Sequence, residues 1–364
     1  MRKRQSGNGG MKTVTFLCVS IFLGIRIPAA IPLQAQEMHY EASMGGEYLV
    51  TAYSFNSPHN AYGMNLDFSR WYQATANTGW AAMRHQPSFG VKANIALTPK
   101  SICGHRIGLD GLIRTPLSPW LDWELGLGVS TYTRSRYLVE DTNNVYITTL
   151  FTFLLEAGLV AHLGPYMNLG LRIVHSSNGR LHEPNRGLNY LQAGLSIDPA
   201  GTWSPANLKK VNVLRVADPH EVSVASSVGL VVSRHTLQSG YYPCYDFSFS
   251  YAYHASPVAT YGATLDLWYN YSHTWQMEFY GDEWPIPLYV GALLFTEGYW
   301  GPMNFKLGLG YTLLASSLVK EPVYERVGVY YNFDSKYVGM AVNAHLGQIE
   351  FVEFTFGYRI RVRG

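Results

Sequence analysis

The chain has 364 residues, of which only 14% are charged and 14% aromatic, with 35 glycines, 27 tyrosines and a formal net charge of +2. Water-soluble enzymes carry about 25% charged residues, and a balance so close to zero offers nothing to a polyanion such as nucleic acid. Mean hydropathy is −0.04, which excludes a bundle of membrane helices but suits a barrel, whose apolar wall and polar lumen average out.

The N-terminus reads as a secretory signal. Arg2, Lys3, Arg4 and Lys12 precede an apolar run from Thr13 to Ile25 that is too short to span a bilayer. Leu33-Gln34-Ala35 offers a cleavage site before Gln36, and Met11 would serve equally as the start. Residues 1–35 are therefore expected to be a signal peptide. Cys18 lies within it, without the small residues of a lipobox. The remaining chain keeps Cys103 and Cys244, which an oxidising compartment permits to pair or to stay free.

Beyond residue 45 no apolar segment is long enough for a spanning helix, and the pattern is one of alternation. Phe89, Val91, Ala93, Ile95 and Leu97 oppose Gly90, Lys92, Asn94 and Ala96. Leu121–Val129, Met303–Tyr311 and Val352–Ile360 repeat this with Leu, Trp, Phe and Tyr in one phase, and charges mixed with Gly in the other. Further candidates fall at 46–54, 61–70, 104–114, 145–162, 221–233, 244–253, 258–271, 286–296, 323–332 and 337–346. With a hairpin formed by 167–177 and 189–197, they bring the count to sixteen. Soluble sandwiches also alternate, but a polar phase rich in Gly and charge suits a lumen, and aromatics at strand ends suit a membrane girdle. The expectation is an all-β protein: one antiparallel transmembrane β-barrel of about 12–16 strands filling residues 36–364. If the first strand starts in the periplasm, the tight connections 163–166, 254–257 and 333–336 lie on that side. The loops 135–144, 178–188 and 272–285 then face outward, and 71–87 and 198–220 are longer periplasmic connections.

The chemistry concentrates between Met167 and Ile197. Met167, Leu169, Leu171 and Ile173 form an apolar phase that His175 and Ser177 continue. After a polar loop, Asn189 leads the apolar phase of Leu191, Ala193, Leu195 and Ile197. In an antiparallel hairpin these three polar residues share one face at the loop end, about 5–8 Å apart. A hydroxyl, an imidazole and an amide on one face are the parts of a serine hydrolase. Ser177 would be the nucleophile, His175 the general base and then acid, and Asn189 the group that fixes the imidazole tautomer. The Gly179 N–H with the Asn178 amide would stabilise the oxyanion. The plainer alternative is an interfacial histidine beside a Ser-Asn-Gly turn.

The string His175-x-Ser177-Asn178, followed by Pro184-Asn185-x-Gly187-Leu188 and a polar residue fourteen positions after the histidine, resembles the lipid A 3-O-deacylase and acyloxyacyl hydrolase family of outer-membrane β-barrels. That resemblance implies a Ser–His–Glu triad on the outer wall of a barrel, facing the outer leaflet, with Asn189 standing here in place of the glutamate. The His–Ser–Asn set and the string HxSNGR also resemble outer-membrane phospholipase A. That second resemblance implies a need for calcium and dimerisation.

Elsewhere the chemistry is sparse. Glu183 is a substitute acid in the loop, and Glu156 falls in the lumen phase. The scattered histidines lack metal-ligand spacing, and no phosphate loop opens a helix, so no cofactor and no metal are expected. Three functions follow in order: an outer-membrane esterase removing an acyl chain from lipid A of lipopolysaccharide, a phospholipase A-like enzyme, and a non-enzymatic barrel or pore.

Overall fold

Among the described residues of the computed structural model, sixteen antiparallel strands close into two barrels of eight. The structure describes residues 35–50, 60–74, 79–135, 146–178, 187–201, 216–232, 241–274, 287–315, 322–345 and 348–362. The signal-peptide expectation for the first residues lies outside them. The first barrel comprises β1 (Ala35–Val50), β2 (Ala61–Ala74), β3 (Ser88–Leu97), β4 (Arg106–Ser118), β5 (Leu121–Tyr132), β6 (Thr152–His162), β7 (Met167–Ser177) and β8 (Leu188–Ile197), with the short helix α1 (Gly79–Met83) between β2 and β3. The second comprises β9 (His220–Val232), β10 (Tyr241–Ser256), β11 (Ala259–Asn270), β12 (Leu288–Trp300), β13 (Met303–Leu314), β14 (Val323–Phe333), β15 (Lys336–His345) and β16 (Gln348–Val362).

The strand total and the antiparallel barrel architecture follow the alternation, but the expectation of one closed barrel over 36–364 is corrected. β8 pairs with β1, from Ala42 opposite Ile197 to Val50 opposite Asn189, and β9 pairs with β16. The reason lies in what fills the lumen. Eight strands enclose a space just wide enough for side chains, and the polar phase supplies charges that meet across it. Arg114 reaches Glu41 (2.7 Å) and Glu124 (2.9 Å), Arg172 reaches Glu124 (2.8 Å), Arg106 reaches Glu47 (2.8 Å), and Lys92 pairs with Glu156. In the second barrel Arg326 binds both Asp246 (2.7 Å) and Asp266 (2.8 Å), and Arg359 reaches Glu297 (3.0 Å). Glycine allows the first seam to close: a Cβ on Gly45 would stand 2.3 Å from the Ala193 carbonyl oxygen.

The opposite phase forms the wall. Leu171 (54% exposed), Ile173 (58%), Leu309 (60%) and Phe354 (62%) typify it. A belt this apolar around both barrels is not stable in water, whereas a strand-built membrane span requires it. Short turns at 119–120, 163–166, 257–258, 301–302 and 334–335 gather at one end of the barrels, and β7 runs from that end to the other.

At the short-turn end the barrels touch. Arg84 donates to the carbonyls of Val258 (2.5 Å) and Tyr299 (3.3 Å) and lies over the Trp300 ring. Trp300 donates to Thr115 Oγ1 (3.2 Å) and packs edge-on against Trp123. On this side the outward residues of the first barrel, such as Ile107, Ile113, Leu125 and Leu127, are buried or half-buried. The outward residues of β6, β7 and β8 stay largely exposed, so the wall carrying His175 is turned to lipid. Cys103 and Cys244 are both buried, one in each barrel, and form no disulfide, so the pairing that the sequence permitted is not made.

Candidate active site

β7 and β8 form the hairpin expected of 167–177 and 189–197, and its register sets the site. His175 stands directly opposite Asn189, with Ile173 opposite Leu191 and Leu171 opposite Ala193 in the rows below. On the other side of β7, Leu155 of β6 is opposite His175 and Phe153 is opposite Ser177. Leu169, Leu171, Ile173, His175 and Ser177 thus share the outward phase, with exposure falling from the leucines, through half-buried His175, to buried Ser177 at the strand end.

Asn189 Oδ1 lies 2.9 Å from His175 Nδ1. An amide oxygen only accepts, so this contact puts the proton on Nδ1 and leaves Nε2 as the basic nitrogen. The Cε1–Nε2 edge of the ring rests against Gly187, whose φ of 63° lies in the left-handed region that glycine favours. Ser177 follows on the same face, about 6.6 Å farther along the strand at the Cα atoms. Asn178 is buried next to it, and its Nδ2 donates to Thr148 Oγ1 at 3.0 Å.

The lumen side of the hairpin is braced. Ser176, between the two outward residues, bonds Thr152 Oγ1 (2.8 Å), which bonds Ser130 Oγ (2.7 Å). Behind Asn189, the Tyr190 hydroxyl donates to Tyr132 (2.9 Å), with the Arg106 guanidinium over the Tyr190 ring. Leu49, Tyr132, Ile147, Leu154, Val174 and Leu188 pack into an apolar cluster across this end of the lumen. The backbone that carries the three polar residues is therefore held from within.

The structure brings His175 and Asn189 together and places Ser177 and Asn178 beside them. Gly179 and Glu183, with Pro184 and Asn185 of the motif, lie outside the described residues. Glu156 is in the lumen as its phase required, engaged by Lys92 and Arg172. The strand expected over 145–162 begins only at Thr152. Tyr146, Ile147 and Thr148 before it are buried, and no periodicity marked Thr148 as a neighbour of the site. Among the described residues, no group of three His, Cys, Asp or Glu side chains is placed to hold a metal ion.

Residues 118–198 match the lipid A 3-O-deacylase family (PagL), a span that contains His175, Ser177 and Asn189, and residues 220–362 match the acyloxyacyl hydrolase C-terminal domain. The chain belongs to this family of ester hydrolases. The two matches divide between the two barrels, the first ending with β8 and the second running through β9 to β16. No curated protein matches the sequence. Among solved structures, the outer membrane enzyme PagL is 15% identical, covering 43% of this chain and 98% of its own, with a TM-score of 0.30. Neisserial surface protein A is 13% identical, covering 44% and 96%, with a TM-score of 0.27. A mutant of the Rh. blastica porin is 10% identical, covering 89% and 99%, with a TM-score of 0.20.

Proposed function

We propose that this protein is an outer-membrane serine esterase that removes an ester-linked acyl chain from lipid A in the outer leaflet. The observation that carries the proposal is the His175–Asn189 pair, 2.9 Å apart on the lipid-facing phase beside Ser177. A soluble substrate would have no route to a base among exposed leucines, whereas a lipid meets it directly. The site lies at the end of β7 away from the short turns, which in bacterial barrels is the cell exterior. Lipopolysaccharide is the lipid of that leaflet.

His175 Nε2 takes the Ser177 proton as Oγ attacks the ester carbonyl, and the oxyanion is met by the Asn178 amide and the Gly179 N–H. The imidazolium returns the proton to the departing sugar oxygen, leaving an acyl-serine. Water activated by the same Nε2 then releases the fatty acid and restores Ser177. Asn189 keeps Nδ1 protonated through both halves of the cycle. One row below His175 and Asn189, a depression of about 750 Å³ opens in the wall beneath Tyr48, Ile173 and Leu191, floored by the small residues Gly46, Ala157 and Ala193. An acyl chain lying along the barrel fits such a surface.

The test is mass spectrometry of lipids after incubation with the purified protein. Loss of one acyl chain from lipid A, with phosphatidylethanolamine untouched and no effect of EDTA, is the expected result. Faster cleavage of phosphatidylethanolamine that EDTA abolishes would replace this proposal with a phospholipase A-like activity.

A further inference from the structure

Resting on the reading of Asn178 as an oxyanion donor, we infer that Thr148 is a positioning residue for the esterase reaction: its hydroxyl orients the Asn178 amide. Asn178 follows the last residue of β7, where the ladder no longer constrains it. An amide free to rotate there would spend time with its oxygen toward the developing negative charge, which repels it. In the folded chain Asn178 Nδ2 instead donates to Thr148 Oγ1 at 3.0 Å, and both side chains are buried. The amide is planar, so holding one N–H on the threonine fixes the direction of the other. Donors that need no reorganisation during reaction stabilise an oxyanion most.

Thr148 is itself firmly placed. It sits in the segment just before β6, with Tyr146 (3% exposed) and Ile147 (0%) buried alongside it. Both of those residues belong to the cluster that also holds Val174 of β7 and Leu188 of β8. The segment is anchored to the strands that carry His175 and Asn189, so the threonine hydroxyl is fixed relative to them.

The experiment compares lipid A deacylation by wild type, Thr148→Val, Thr148→Ala, Thr148→Ser, Asn178→Ala and the Thr148→Val/Asn178→Ala double variant. Each is first checked for heat-modifiable migration, so that a misfolded valine variant leaves the alanine variant to decide. Thr148→Val and Thr148→Ala should lower kcat about ten-fold with little change in KM, because an oriented donor acts on the transition state. Thr148→Ser should restore most of the rate. Adding Thr148→Val to Asn178→Ala should cost nothing further. Wild-type kcat in folded Thr148→Val and Thr148→Ala, against an impaired Asn178→Ala, would overturn the inference and leave the esterase reading standing. Additive losses in the double variant would do the same. Full activity in Asn178→Ala would instead remove Asn178 from the oxyanion hole, and the role of Thr148 with it.

Discussion

Gly187 forms the surface against which the His175 imidazole rests: a Cβ at Gly187 would stand 2.9 Å from His175 Cε1 and 3.4 Å from Nε2. The same residue holds a φ of 63°, so any side chain there meets backbone strain as well as the ring. Gly187→Ala should therefore push the imidazole off Asn189 while leaving the barrel intact, since the change lies just before β8. The expected result is a fall of about ten-fold or more in kcat for lipid A, with unchanged heat-modifiable migration. Wild-type kcat in this variant would mean that the ring position has no bearing on turnover.

Ser177→Ala and His175→Ala should each lower ester hydrolysis by about three orders of magnitude or more. Both residues lie at the strand end on the outward phase, away from the lumen ion pairs that hold the barrel together. Their truncation is thus expected to cost little stability. Activity and gel migration measured on the same preparations test both halves of this expectation. Variants that unfold, or that turn over normally, count against the assignment.

The lumen makes a separate forecast. With Arg114, Arg172, Arg106 and Lys92 paired across the first barrel and Arg326 across the second, neither interior resembles a water-filled channel. Planar-bilayer recordings should show no steady ion conductance. Arg326→Met should destabilise the second barrel by about 3–5 kcal/mol, because Asp246 and Asp266 would be left buried without their counter-ion. A lowered temperature of heat modification reads this out, and an unshifted one would show that those carboxylates do not depend on Arg326.

Strand positions were legible in the sequence because alternation is a local property: Leu169, Leu171 and Ile173 face outward for the same reason that they occur at every second residue. Barrel closure is not local. Whether β8 returns to β1 or continues to β9 depends on a pairing between Ala42–Val50 and Asn189–Ile197, residues far apart in the chain. Two signs were nonetheless present: the long connection after β8, and lumen-phase charges of both signs in numbers that can neutralise one another. His175, Ser177 and Asn189 could be grouped from phase and hairpin register alone. Thr148 could not, because it reaches Asn178 from an irregular segment on the far side of β6, where no period fixes what meets what.

Asn189 is where this chain departs from the Ser–His–Glu pattern its sequence resembles, and its role can be measured. Its amide oxygen holds the His175 Nδ1 proton, as a carboxylate would, but carries no charge to offset the imidazolium that forms during reaction. Asn189→Ala removes the orienting contact, so the ring reaches the productive tautomer only part of the time. The expected loss is roughly a hundred-fold, smaller than that for Ser177→Ala. Asn189→Glu adds the missing charge and should keep or raise the rate at neutral pH. The opposing cost is that of ionising a carboxylate beside lipid, which grows with depth in the hydrocarbon. Here the depth is expected to be small, because Asn189 is the second residue of β8, at the end remote from the short turns. The gain should therefore prevail, and it should vanish on acidification, when a protonated glutamate offers Nδ1 no more than the amide does. Hydrolysis rate against pH for the wild type and both variants measures all of this. Wild-type rates in Asn189→Ala and Asn189→Glu alike would take Asn189 out of the mechanism and turn the search for the third member to Glu183.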